Sequence, residues 1–320
     1  MKYKAIILLT FLLLNCQSNS DHSKTYFIDT QTVADDLALF GENVISTELY
    51  ERDLAISPQG NQLIYTLADY KQNKRCLVVL NKENGNWKYP EILKISGKYQ
   101  DIEPFYSNNG NRLYFASNRP IYNDKTRDDY NIWFSDRING DWSEPVALDS
   151  IINTKSDEFF PSLSNKGNLF FTTTRDYGMG REDIFMSELI DGKFQSPQPL
   201  PVEINSGLFE FNACISPEED LIIFSSFGRP DGFGGGDLYI SRKDKEGKWT
   251  QSKNLGGQIN SDKLDYSPFV DWKSGNFYFT SERITLDNKK LENISKLKEL
   301  SHSTLNGFGN IYKIGFDKLE

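Results

Sequence analysis

One short pattern occurs five times along this chain, and nothing else in the sequence constrains the fold as much. It first reads Ile56-Ser57-Pro58-Gln59-Gly60-Asn61-Gln62-Leu63-Ile64-Tyr65. It returns around Ser107-Asn108-Asn109-Gly110, Ser164-Asn165-Lys166-Gly167 and Trp272-Lys273-Ser274-Gly275. Another copy, Ser216-Pro217-Glu218-Glu219-Asp220, lacks the glycine. Gly60 and Gly275 lie 215 residues and four steps apart, about 54 residues per repeat. Trp87, Trp142, Phe194 and Trp249, spaced by 55, 52 and 55 residues, give the same register independently.

Each copy has one internal plan. A short strand enters a Ser-x-x-Gly turn, and a second strand follows with apolar residues at adjacent positions, as in Leu113-Tyr114-Phe115-Ala116 and Leu221-Ile222-Ile223-Phe224. Strands apolar on both faces are buried on both faces. A loop leads to a third strand that starts with Asp or Asn, such as Asp183-Ile184-Phe185-Met186 or Asn310-Ile311-Tyr312-Lys313. The repeated aromatics are expected to open a fourth strand. Tight turns between consecutive strands imply antiparallel pairing and argue against a solenoid. Four antiparallel strands buried between neighbours describe one blade of a β-propeller.

The predicted fold is therefore all-β, a five-bladed propeller with repeats at about 51–93, 101–148, 158–200, 210–255 and 265–316. A six-bladed ring is the alternative, although residues 17–50 are too few to supply a divergent blade. The last repeat ends with its third strand, and the missing strand is expected from the N-terminal side. There Ala38–Ser46 resembles the segments Ala147–Asn153 and Leu255–Asn260. Such a strand closes the ring, removes an exposed edge and makes residues 25–320 one domain.

The Ser-Pro-x-Gly turns, the Ser-Asn-Arg strand end at Ser117-Asn118-Arg119 and the Asp-Ile-aromatic strand starts resemble the TolB-type, WD-like β-propeller repeats. The resemblance covers residues 51–316. It implies the propeller fold and an exported bacterial protein, often a lipoprotein. The chain has no room for TolB's separate N-terminal domain, so only the repeat architecture is carried over.

Lys2 and Lys4 precede an apolar stretch from Ala5 to Leu14, interrupted at Thr10. About 20 residues are needed to cross a bilayer as a helix, so this stretch reads as a signal segment over residues 1–15. Cys16 directly after it resembles a bacterial lipoprotein signal, which implies cleavage before Cys16, lipidation of its thiol and a polar tether over 16–24. An ordinary secretory signal with an incidental cysteine is the alternative. Cys76 and Cys214 sit in apolar runs and read as small core residues. The formal charge of the whole chain is −9, with 36 basic and 45 acidic residues. That balance offers no basic face for nucleic acid.

An acidic residue begins the first strand of every repeat: Glu51, Asp101, Glu158, Glu210 and Asp265. Repetition predicts a ring near a mouth of the central channel, able to hold a cation or a cationic partner. The structural alternative pairs these acids with the arginines that end the second strands, Arg119, Arg175, Arg229 and Arg283. Blade one has no such arginine, which leaves Glu51 the expected unpaired acid.

The Gly- and Asp-rich loops 176–183 and 231–237 join strand to strand and carry no Gly-Lys-Ser/Thr. No cofactor is expected. Ca²⁺ on their oxygens is a reading without ligand spacing to support it. Residues 284–306 interrupt the fifth repeat and place Leu291, Ile294 and Leu297 on one helical face, a cap for the propeller end or a docking element. The two histidines, His22 and His302, are tied to no Ser or Cys motif, so no catalytic triad is legible.

These readings point to a lipid-anchored envelope protein of a Gram-negative bacterium, in the outer membrane or periplasm. It is expected to bind a protein partner and to meet the membrane only through its lipid. A glycan-binding or glycan-cleaving protein using the channel mouth is the alternative. Replacing Cys16 by Ser is expected to move the protein from the membrane pellet to the soluble fraction, as read by fractionation and immunoblot.

Overall fold

The computed structural model describes residues 24–122, 124–284 and 290–319. The signal segment, Cys16, His22 and the tether up to residue 23 lie outside the described residues. Four-stranded antiparallel sheets repeat five times and form a five-bladed β-propeller.

From the channel outward, blade 1 comprises Tyr50–Ile56, Gln62–Ala68, Arg75–Glu83 and Glu91–Ile92. Blade 2 comprises Asp101–Tyr106, Arg112–Ser117, Asn131–Ile138 and Val146–Ala147. Blade 3 uses Glu158–Leu163, Leu169–Thr173, Asp183–Ser187 and Gln198–Pro199. Blade 4 uses Phe209–Ile215, Leu221–Phe227, Asp237–Arg242 and Lys253–Asn254. Blade 5 takes Asp265–Asp271, Asn276–Ser281 and Asn310–Gly315 from the C-terminal end of the chain. Its outermost strand is Ala38–Leu39, paired with Lys313 and Tyr312, so the N-terminal segment completes the last blade. Each inner strand contacts the next around the channel, and the fifth contacts the first.

The adjacent apolar positions are explained by a separate core between every pair of blades. Phe115 and Trp133 pack towards Ile64 and Val79 of blade 1, whereas Tyr114 and Ile132 pack towards Phe171 and Phe185 of blade 3. Between blades 5 and 1 the core contains Tyr278, Ile311, Tyr65 and Val78, sealed by Phe40 and Ile45 from the N-terminal segment.

The Ser-x-x-Gly turns work through the serine. Ser57 Oγ accepts the Gln62 amide at 3.0 Å, and Gly60 takes φ +70° where a side chain would be strained. In the copy without glycine, Glu219 adopts φ 61°. Its carboxylate accepts from Ser164 Oγ at 2.6 Å and Asn168 Nδ2 at 2.7 Å, which ties that turn to the neighbouring blade.

The repeated aromatics do not open the outermost strands. Turns with positive φ at Asn84-Gly85, Asn139-Gly140 and Asp191-Gly192 make tight hairpins. Trp87 and Trp142 are thereby set across from Lys82 and Arg137, near the ends of the third strands. Phe194 pairs with Leu189, and Trp249 bridges to Lys243. In each of these four blades the outermost strand begins four residues further on. Trp87 is fully buried and donates from Nε1 to the Ile28 carbonyl at 3.0 Å, fixing the incoming N-terminal segment.

In the fifth-repeat insertion the helix spans Ile294–Ser301 and is capped by Asn293, so Leu291 precedes it. Ile294 and Leu297 are exposed. Cys76 and Cys214 are free thiols.

Phe40 seals the closing core edge-on to Tyr278, with ring centroids 4.9 Å apart. Phe40→Ala is expected to lower stability by about 3–5 kcal/mol, the usual cost of removing a buried phenyl ring, as measured by chemical denaturation.

Candidate functional site at the channel mouth

The five repeated acids that begin the inner strands are all fully buried. Each is held by several segments at once. Thr154, Ser206 and Ser261, four residues before Glu158, Glu210 and Asp265, donate from both backbone and hydroxyl to those carboxylates. Ser96 Oγ donates to Asp101 at 2.8 Å.

Four of the acids also meet the arginine at the end of their own blade's second strand. Arg119 reaches Asp101 at 2.5 Å, Arg175 reaches Glu158 at 3.3 Å, Arg229 reaches Glu210 at 3.0 Å and Arg283 reaches Asp265 at 2.9 Å. The same guanidiniums donate to the carbonyls of Ile95, Ile152, Ile204 and Ile259 in the loops leading into those strands. Burying a pair in this way makes loss of either partner expensive, about 3–5 kcal/mol, because the other charge is left desolvated.

Glu51 has no such arginine among the described residues. Leu67 faces it across the sheet where Ser117 and Ser226 stand in blades 2 and 4. Its carboxylate accepts from Thr47, from the amide at 3.0 Å and the hydroxyl at 2.5 Å. Burial pushes the Glu51 carboxyl up to about 7, against those two hydrogen bonds.

A second ring, two residues further along each inner strand, faces the channel. Every inner strand carries a bulge there, and Asp53, Glu103, Phe160, Asn212 and Ser267 all take positive φ between 46° and 60°. Such backbone strain persists only where the surroundings over-determine it. At four of the five positions the bulge amide supplies that reason. The amides of Asp53, Glu103 and Asn212 donate to Thr280, Thr66 and Thr172 of the preceding blade at 3.0–3.3 Å. Blade 2 has Ala116 at that position, and the Phe160 amide donates to Glu103 Oε2 at 2.8 Å instead.

The ring side chains form a charged network across the channel. Arg52 donates to Asp53 at 2.7 Å and to Glu103 at 2.9 Å. Ser267 Oγ donates to Asp53 at 2.5 Å, and Asn212 Nδ2 to Glu103 at 3.2 Å. Tyr266 lies under the Arg52 guanidinium, 4.8 Å from it. Burial, with Asp53 beside it, pushes the Glu103 carboxyl up to about 7 despite Arg52.

Above this network, at the end where the inner strands begin, lies a cavity of about 240 Å³. Arg52, Glu103 and Asn212 contribute to its lining, Arg75 and Glu182 reach it from blades 1 and 3, and Phe159, Phe211 and Tyr266 contribute aromatic walls. Burial, with Asp157 nearby, raises the Glu182 carboxyl. A larger cavity of about 640 Å³ opens over blade 1, lined by Leu67, Cys76, Tyr99 and Lys98 among others, and Arg75 borders both. Among the described residues no group of three or more His, Cys, Asp or Glu is placed to hold a metal ion. His302 closes the helix of the insertion, with Nδ1 2.7 Å from the Lys298 carbonyl oxygen.

Sequence reasoning found the first ring and missed the second. The available signal was the same five-fold spacing, shifted by two residues. The varied residue types Asp, Glu, Phe, Asn and Ser concealed it, because a shared backbone bulge and not a shared side chain defines that position.

No protein-family model matches the chain, and no curated protein matches it. Solved structures do. The protein BT0996, solved in an RGII complex, is 11% identical over 91% of this chain and 90% of its own, with a TM-score of 0.50. An α-L-arabinofuranosidase from Podospora anserina, solved with cellotriose, is 13% identical over 92% of this chain and 98% of its own, at 0.48. A putative TolB from Agrobacterium tumefaciens is 15% identical over 72% of this chain and 69% of its own, at 0.47. The likeness is one of fold.

The raised Glu51 carboxyl has a signed consequence. The folded state holds that proton more tightly than the unfolded chain does, so its contribution to stability falls as pH rises from about 4.5 through about 7. Glu51→Gln is expected to flatten the decline in melting temperature between pH 5 and pH 8 and to melt higher than wild type at pH 8, as read by circular dichroism.

Proposed function

We propose that the protein is a binding scaffold of the Gram-negative cell envelope, tethered through a lipid on Cys16, that docks a protein partner on the propeller end where the inner strands begin. The observation that carries this reading is the pattern of exposed apolar side chains at that end. Every loop between a second and a third strand presents at least one. Tyr70 does so in blade 1, Tyr122 in blade 2, Tyr177 in blade 3, Phe233 in blade 4 and Ile294 in blade 5. All are at least 50% exposed. Single exposed apolar residues are ordinary on any surface. Their return in every loop around one end of a ring supports an interaction face. Among the described residues no helix is long and apolar enough to cross a membrane, and the envelope address rests on the residues around Cys16.

A second reading has its own support. The carboxylates and aromatic walls of the channel mouth suit a glycan, whose hydroxyls need acceptors and whose ring faces stack on aromatic side chains. Incubation with a polysaccharide panel separates the two, because a scaffold releases no product.

A photo-crosslinking residue placed at Tyr177 or Phe233 is expected to capture one partner from intact envelopes. The same probe at Ile138, on the opposite end, is expected to capture none. Equal capture from both ends, or none from either, overturns the docking face.

A further inference from the structure

Two charges of opposite sign line the channel-mouth cavity, and neither has an ion-pair partner among the described residues. Arg75 begins the third strand of blade 1, where the register of the other blades places Tyr130, Glu182, Gly236 and Gly309. Its Nε is buried without a hydrogen-bond partner, and its guanidinium lies 5.5 Å from the Tyr130 ring centroid. Glu182 enters from blade 3, and the groups acting on its carboxyl are burial and Asp157, with no cation among them. Both residues line the same space of about 240 Å³. They do not neutralise one another, so the gap between them is wider than an ion pair.

Partly desolvated, unpaired charges destabilise a folded protein, and a ligand of matching charge relieves that cost. The neighbouring charges are not available for this. Arg52 is committed to Asp53 and Glu103, and Glu103 accepts from Arg52, Asn212 and the Phe160 amide. Asp157 accepts the Tyr130 amide at 2.8 Å. Phe159, Phe211 and Leu264 form the apolar part of the lining. The volume lies below the roughly 300–1,000 Å³ of sites for drug-sized ligands.

From this we infer that the channel mouth is a binding site for a small zwitterion, a free α-amino acid with an apolar side chain. Arg75 takes its carboxylate, Glu182 takes its ammonium group, and the side chain rests on Phe159 and Phe211. A guanidinium matches a carboxylate with two parallel hydrogen bonds, which orients the ligand as well as holding it. A neutral sugar leaves both charges unmatched, and a simple anion or cation leaves one of them so. The inference is independent of the docking face, since it uses none of the exposed loop residues.

Calorimetric titration of the detergent-solubilised full-length protein with L-phenylalanine and L-leucine tests it. Saturable binding of at least one is expected. Phenylpropionate, which lacks the ammonium group, and phenethylamine, which lacks the carboxylate, should each bind about tenfold more weakly or worse, the effect of one lost charge-assisted hydrogen bond. Arg75→Met and Glu182→Gln should each weaken amino-acid binding to a similar degree while the melting temperature of the ligand-free protein does not fall below that of wild type, because each removes an unpaired charge. The analogues make the same discrimination on wild-type protein if a variant fails to fold. Absence of binding by both amino acids at millimolar concentration overturns the inference. So does phenethylamine or phenylpropionate binding as tightly as L-phenylalanine, or an oligosaccharide binding in their place.

Discussion

A carboxylate withdrawn from water needs a cation or several donors, and this propeller meets that need once per blade at the start of the inner strand. The acid gathers the loop that enters the blade, the inner strand and, in four blades, the arginine that ends the second strand. Each guanidinium also lies over aromatic rings of its own blade: Arg229 is 4.7 Å from Tyr239 and Arg283 is 4.7 Å from Tyr312. Charge neutralisation and apolar packing therefore share the same atoms. A blade cannot shift against its entering loop without uncovering a buried ion, and that couples the register of neighbouring blades.

Blade 1 is where this arrangement is relaxed, and it packs against the blade that the N-terminal segment closes. Leu67 and Asp69 occupy the strand end that carries serine or threonine and then arginine in the other blades. Glu51 relies on Thr47, and the loop between the second and third strands is short. The cavity of about 640 Å³ opens over that corner. The closing blade compensates by other means. Phe40 and Ile45 fill the core, Ser46 Oγ bonds the Phe40 carbonyl at 3.1 Å, and Asp53 hooks its amide onto Thr280.

Much of the architecture was legible because it rests on periodicity. Five copies of one turn, with adjacent apolar positions after it, imply sheets covered on both faces, and only a closed ring covers all of them. The same logic placed Ala38–Leu39 in the last blade. The outermost strands were misplaced because aromatic position is a side-chain signal, whereas the hairpin that holds Trp87 or Trp142 is set by positive φ at its turn. The charged network of Arg52, Asp53 and Glu103 was not legible at all. Glu103 comes from a different blade than Arg52 and Asp53, and a carboxylate in a sequence of 45 acidic residues carries no mark of burial.

The sequence by itself determined the blade and the strand that closes the ring, since a repeat whose last copy lacks its outer strand must bury that edge, and the structure fixed the number of blades at five. Tertiary structure alone decided which acids face a protein cation and which face the channel. Strand position gives the direction of a side chain only until a bulge turns the backbone. Here one bulge per blade leaves Glu51 and its counterparts buried against the loops that enter their blades and turns the residue two positions on toward the channel.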